Sequence, residues 1–113
     1  MRAYVIPALL MISLGLLVAG QAQAKGDPQR GLEISETCQT CHGKDGNLVL
    51  EDDYPKLGGQ YYDYLVHALR SYRDGTRQNE VMAPFAEDLS DRDIRDLAAW
   101  YSSQEGLVPL RIR

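Results

Sequence analysis

Two thiols and an imidazole lie within five residues of one another, in Cys38-Gln39-Thr40-Cys41-His42. This is the CxxCH spacing of a c-type haem attachment site. Two cysteines separated by two residues can add to the two vinyl groups of one haem as thioethers. The histidine that follows directly lies under the iron as an axial ligand. The chemistry that such a set supports is one-electron transfer at an Fe(III)/Fe(II) centre.

A sixth ligand is the next requirement. Met82 is the only methionine beyond the first 24 residues, since Met1 and Met11 both precede them. Its thioether is a soft ligand suited to haem iron, and a His/Met pair raises the reduction potential relative to bis-His surroundings. Its place in a loop, with Pro84 two residues on to stiffen the segment, fits ligation. The plainer alternative is a methionine filling a gap in the core. His67 is the rival ligand, but it falls among Asp63, Arg70 and Asp74 on the polar side of its helix, where a histidine is solvated.

Other chemistry fits less well. A thioredoxin-like Cys38/Cys41 redox pair needs a βαβ context, and the chain reads as helical. A structural zinc site needs four ligands, and beyond Cys38, Cys41 and His42 only His67 offers a nitrogen. Asp45 and the Glu51-Asp52-Asp53 run read as a solvated loop rather than a calcium or acid–base site. No Gly-rich phosphate loop follows a strand, and two histidines, one committed to iron, leave no Ser/His/Asp set.

The N-terminus reads as a secretory signal peptide, residues 1–24. Arg2 supplies the positive start, an apolar run follows from Val5 to Ala19, and Ala22-Gln23-Ala24 is a small-x-small cleavage site. The apolar run is shorter than the ~20 residues that a membrane-spanning helix needs, and no cysteine near the cleavage point suggests a lipid anchor. Residues 25–113 are then one exported, periplasmic domain with no membrane span. A chain this short buries a marginal core and needs a staple, which covalent haem would be. The formal net charge is −4, and loss of the leader, whose one charged residue is Arg2, makes the remainder more acidic. That balance argues against nucleic acid and anionic membranes as partners. It is in keeping with a small soluble protein and with docking to a basic partner face.

Three helices must position the ligands. The first opens at Asp27-Pro28, an N-cap followed by proline at the first helical position, and runs to about Thr37, with Gly31, Ile34 and Cys38 on one face. The second spans about Gln60 to Arg73, with Tyr61, Leu65, Ala68, Leu69 and Tyr72 on its apolar face and Gly75 as C-cap. The third follows the capping-box-like Ser90-Asp91-Arg92-Asp93 and runs to about Ser103, with Ile94, Leu97, Ala98 and Tyr101 inward and Trp100 at the edge. No segment sustains a period of two, so the expectation is an all-α domain. The stretches 43–59 and 74–89 are loops, with a short helical turn at Pro84–Asp88. Loops this long in a small domain need a reason, and wrapping a cofactor supplies one.

These motifs, in this order, resemble the small periplasmic class I c-type cytochromes, of the cytochrome c-553 and cytochrome c4 kind. The likeness runs through Gly31, Cys38–Gly43, Tyr54-Pro55-Lys56-Leu57-Gly58-Gly59-Gln60, Tyr72-Arg73-Asp74-Gly75-Thr76-Arg77, Met82-Ala83-Pro84 and the Leu89–Tyr101 segment. The resemblance implies a class I cytochrome c fold around one covalent haem held by Cys38 and Cys41, with His42 proximal and Met82 distal. It implies that Pro55 offers its carbonyl to the proximal histidine, that Leu57 packs on the haem, and that Gly31 sits where the first and last helices cross. Cytochrome c4 relatives are often two-haem proteins, and this chain, with one CxxCH, corresponds to one such domain. The function it implies is a respiratory one-electron carrier, a monomer docking transiently with donor and acceptor proteins and not an enzyme. The alternatives are a cytochrome subunit dedicated to one dehydrogenase or oxidase complex, and a haem-based sensor or enzyme with an open sixth site.

Overall fold

A computed structural model describes residues 25–107. The expected leader lies outside the described residues. Five helices follow one another: α1 (Pro28–Ile34), α2 (Glu36–His42), α3 (Tyr62–Asp74), α4 (Ala83–Ala86) and α5 (Asp91–Ser102). Among the described residues there is no strand, and no helix is long and apolar enough to cross a membrane.

The N-terminal helix begins as its sequence dictates. Asp27 Oδ1 accepts from the N–H groups of Gln29 at 2.9 Å and Arg30 at 3.3 Å, and Pro28 takes a position whose missing N–H costs nothing. It ends earlier than expected. The expected single helix to about Thr37 is broken at Ser35, and a second helix carries the whole CxxCH segment. Ser35 is fully buried. Its hydroxyl donates to the Leu32 carbonyl at 2.8 Å and accepts from Gln39 Nε2 at 2.8 Å. A serine that bonds the preceding turn competes with the helical ladder, and here the result is a change of direction just before the cysteines.

The remaining helices match their sequence signals closely. Gly75 closes α3 in the left-handed conformation at φ +78°. Ser90 and Asp93 form a reciprocal capping box at the start of α5. Tyr61 is a correction to the expected apolar face of α3: it stands before the first helical turn and is 70% exposed. Only Leu65 and Ala68 of that face are buried, while Leu69 and Tyr72 are half-buried. The expected turn at Pro84–Asp88 appears as α4, which starts one residue earlier and ends two residues earlier.

Helix α5 is the spine. Helices α1 and α3 both pack against it, and α4 packs on α3. Ile94, Leu97, Ala98 and Tyr101 are buried along its length. Tyr101 and Ala98 meet Leu65, with Cys38, Leu57 and Trp100 around them. At the α1–α5 crossing a Cβ on Gly31 would fall on the Asp96 carbonyl and 2.9 Å from Trp100 Cβ, so only glycine permits this approach. A polar clamp sits beside it. Asp96, buried, accepts from the Asp27 N–H at 2.7 Å and from Arg30 Nη1 at 2.6 Å, and Arg30 also pairs with Asp93.

Candidate functional site

The CxxCH helix, the loop after it, α3 and the turn before α4 enclose a cavity of about 330 Å³, within the size range of small-molecule and cofactor sites. Cys38, Cys41, His42, Pro55, Leu57 and Met82 all line it. The six residues singled out in the sequence are therefore brought to one space. His67 does not line it and is exposed on α3.

His42 ends α2 and is buried. Its Nδ1 lies 3.0 Å from the Pro55 carbonyl oxygen. A carbonyl can only accept, so Nδ1 carries the proton and Nε2 keeps its lone pair. Burial lowers the His42 pKa, only partly opposed by that carbonyl, which favours the neutral ring that a metal requires. The two thiols are not joined to each other. Burial pushes the Cys38 thiol up, so it rests in the protonated form.

The loop bearing Pro55 is bound to the end of α5. Trp100 Nε1 donates to the Lys44 carbonyl at 2.7 Å, and Asn47 Nδ2 to the Glu105 carbonyl at 2.7 Å. Leu57 N–H meets the Gly46 carbonyl at 2.7 Å, and Gly59 N–H meets that of Tyr101 at 3.0 Å. These contacts fix where the Pro55 oxygen stands relative to α2.

Met82 occupies the N-cap position of α4. The turn that presents it is organised by Asn79, whose Oδ1 accepts from Val81 N–H at 3.0 Å and Met82 N–H at 2.9 Å. Asn79 also lines the cavity. Sequence reasoning missed it, although an asparagine whose side chain binds the backbone two and three residues on is a recognisable turn signal. Tyr101 was expected only as a core residue. It is both core and cavity wall, and its hydroxyl donates to the Gly43 carbonyl at 3.5 Å.

Residues 27–100 match the family described as cytochrome c oxidase, cbb3-type, subunit III. The chain is 47% identical over 83 residues to cytochrome c-554(548) of Halomonas halodenitrificans, a match covering 71% of this chain and 99% of that protein. The chain belongs to the c-type cytochromes. This cytochrome is also 38% identical over 96 residues to cytochrome c4 of Pseudomonas aeruginosa, covering 85% of its own length and 46% of the relative. Its fold superposes on the crystal structure of reduced recombinant cytochrome c4 from Pseudomonas stutzeri with a TM-score of 0.67 at 36% identity, covering 74% of this chain and 48% of that one. The cytochrome thus spans about half the length of its cytochrome c4 relatives. Its fold is the all-α class I cytochrome c fold.

The residues fit a haem. The cavity offers two thiols on one short helix, an imidazole with its Nε2 lone pair free, a thioether, and walls of aliphatic and aromatic side chains that include Leu65, Leu69, Phe85 and Leu97. Soft sulfur and imidazole donors around an apolar space suit a porphyrin iron.

Proposed function

We propose that this cytochrome is a periplasmic one-electron carrier holding one covalent haem. Cys38 and Cys41 form the thioether links, and His42 and Met82 are the axial ligands. Bound there, the iron would cycle between Fe(III) and Fe(II), which is the one-electron chemistry of the site. The observation that carries this reading is the convergence of Cys38, Cys41, His42 and Met82 on one cavity.

The protein's own residues hold the geometry fixed. Pro55 orients His42 through Nδ1 and makes it a stronger donor. Asn79 fixes the Met82 turn, and Leu57, on the cavity wall, would pack on the haem. Because His42 and Met82 are both carried on braced segments, little would have to move when the charge of the iron changes. Residues 1–24 direct export and residues 25–113 form the single mono-haem domain. Partners are redox proteins that dock transiently, as an electron donor and an electron acceptor. Two relatives bear the name thiosulfate dehydrogenase electron acceptor, one of them, from Thiomonas intermedia, 39% identical over 66 residues. Those names keep open a second reading, a cytochrome serving one dehydrogenase.

The test is the absorption spectrum of the matured protein, ferric and ferrous, with and without CO, beside that of Met82→Ala. A low-spin c-type spectrum indifferent to CO, with CO binding and a lowered potential in the variant, is expected. Ready CO binding by the unaltered protein, or an unchanged variant, defeats the assignment of Met82.

A further inference from the structure

We propose that the segment Leu48–Asp53 is the docking surface for a redox protein that presents a basic rim around an apolar centre; this rests on the haem reading above and names the class of partner that the carrier meets. Leu48, Val49 and Leu50 are consecutive, and they are 41%, 45% and 55% exposed. Apolar side chains standing together in solvent mark a contact site on a soluble protein. A slack loop could fold them inward, but this one is held at its base. Leu48 N–H donates to the His42 carbonyl at 3.0 Å, and Asn47 Nδ2 donates to the Glu105 carbonyl at 2.7 Å. Val81 and Phe85, beside Met82, are exposed too, but they line the cavity and so have the haem as a neighbour. Leu48, Val49 and Leu50 do not line it. Nothing in the proposed haem site therefore accounts for them.

The surroundings of the apolar trio select the partner. Glu51, Asp52 and Asp53 follow directly and are exposed, on a turn closed by the Tyr54 N–H and the Glu51 carbonyl at 3.0 Å. Among the described residues no cation, Lys44 and Lys56 of the same loop included, pairs with any of the three. Asp74, Asp91, Asp93 and Asp96, by contrast, each face an arginine. The loop carboxylates are thus free to meet cations of another protein. An apolar centre beside a charged rim is the anatomy of a protein interface, and opposite charge speeds the encounter. An acidic surface would be repelled, and a basic one without apolar groups would leave Leu48–Leu50 in water. The place also suits electron transfer. One hydrogen bond joins Leu48 to the backbone of His42, and Asp53 stands on the cavity wall.

The probe is tris(phenanthroline)cobalt(III), a tripositive complex with aromatic faces. It takes one electron from the ferrous holoprotein and leaves Fe(III) and Co(II). Stopped flow at rising ionic strength gives its rate with the unaltered protein and with Glu51→Gln/Asp52→Asn, Val49→Ser/Leu50→Ser and Glu80→Gln/Glu87→Gln. Loss of the two loop charges should slow the reaction about fivefold at low ionic strength and leave it unchanged at high salt. Loss of the apolar pair should slow it about threefold at every ionic strength, because that contact is not screened. Glu80→Gln/Glu87→Gln removes the same charge from the Met82 side and should have the smaller effect. Ferricyanide, an anion, should react faster with Glu51→Gln/Asp52→Asn than with the unaltered protein. The redox-inert chromium(III) counterpart of the probe should broaden the methyl resonances of Leu48–Leu50 first in the unaltered ferrous protein, a measurement that needs no variant. Rates unchanged in both loop variants, a larger loss in Glu80→Gln/Glu87→Gln, or broadening centred on Val81 would overturn the assignment while the c-type spectrum keeps the haem reading intact. An unaltered chain without that spectrum overturns both.

Discussion

His42 Nδ1 and the Pro55 carbonyl oxygen stand 3.0 Å apart across thirteen residues of chain. The contact fixes which ring nitrogen faces the cavity, and it feeds electron density toward that nitrogen. Substituting Pro55 by glycine keeps the carbonyl but frees the backbone that aims it. A weaker hydrogen bond makes the imidazole a poorer donor to Fe(III), so the midpoint potential should rise. The change should be at most about 1.4 kcal/mol in the redox equilibrium, the lower end of what outer partners of metal ligands contribute. Protein-film voltammetry of Pro55→Gly beside the unaltered protein reads it directly, and a lowered potential would contradict the proposed role.

Asn79 and Met82 form a second such pair. The Asn79 carboxamide caps the N–H groups of Val81 and Met82, and its own carbonyl accepts from Ala83 N–H at 2.9 Å. Alanine at position 79 removes the side-chain bonds and should cost about 1 kcal/mol, as loss of a cap does. Helix α4 has four residues and little stability of its own, so most of that loss falls on the turn presenting the thioether. The expected readout is faster binding of CO to the ferrous protein and of imidazole to the ferric protein in Asn79→Ala. Unaltered exogenous-ligand kinetics would mean that the turn is held by other contacts.

What the sequence disclosed was local chemistry. Cys38, Cys41 and His42 are neighbours in the chain, and the caps at Asp27, Gly75 and Ser90 act within a few residues of themselves. Each could be read without knowing what packs against what. The break at Ser35 was hidden because a serine in mid-helix can face solvent or bond the preceding turn, and burial against α5 decides which. Nothing local in the sequence marks Asp96 for burial. Its burial depends on Arg30 and the Asp27 N–H, more than sixty residues away. Tyr61 looked like part of an apolar stripe because its spacing is right, yet the helix starts after it. Met82 could be proposed from its scarcity, its loop and the nearby Pro84, whereas the role of Asn79 in aiming it required the folded turn.

The Arg30–Asp93–Asp96 clamp makes stability depend on acid. Ser90 bonds the Asp93 carboxylate and, with help from Arg30, lowers its pKa to about 2 from 3.8. Burial alone would raise the Asp96 pKa, but Arg30 and the Asp27 N–H outweigh it and bring it down. A folded-state pKa below the unfolded value adds stability above the unfolded pKa and loses it as pH falls through the folded one. The contribution of Asp93 should therefore be complete above about pH 5, shrink as pH falls past 3.8, and be lost as pH passes below about 2. In Asp93→Asn the stability at pH 7 should fall by about 1 kcal/mol, the size of a helix cap, and the decline below pH 4 should be shallower. Circular dichroism melts from pH 2 to 7 would show it, and parallel acid limbs for the two proteins would exclude it.

Gly31 and Gly75 separate two reasons for glycine, and alanine at each should behave differently. At Gly75 the backbone is left-handed, and no neighbouring atom lies within 4 Å of an added Cβ. Alanine there should cost about 1 kcal/mol from backbone strain alone and leave the packing undisturbed. At Gly31 the backbone is ordinary helix, but a Cβ would strike the Asp96 carbonyl and Trp100 Cβ. Helix α1 must then move off α5, with a cost of about 2–3 kcal/mol, as for overpacked cores. That movement reaches the haem side, because Trp100 also holds the Lys44 carbonyl through its indole N–H. Gly31→Ala should therefore shift the Trp100 indole N–H resonance as well as the urea midpoint. Gly75→Ala should shift the midpoint only. Equal losses in the two variants with an unmoved indole resonance would show that the α1–α5 crossing absorbs a methyl group without displacement.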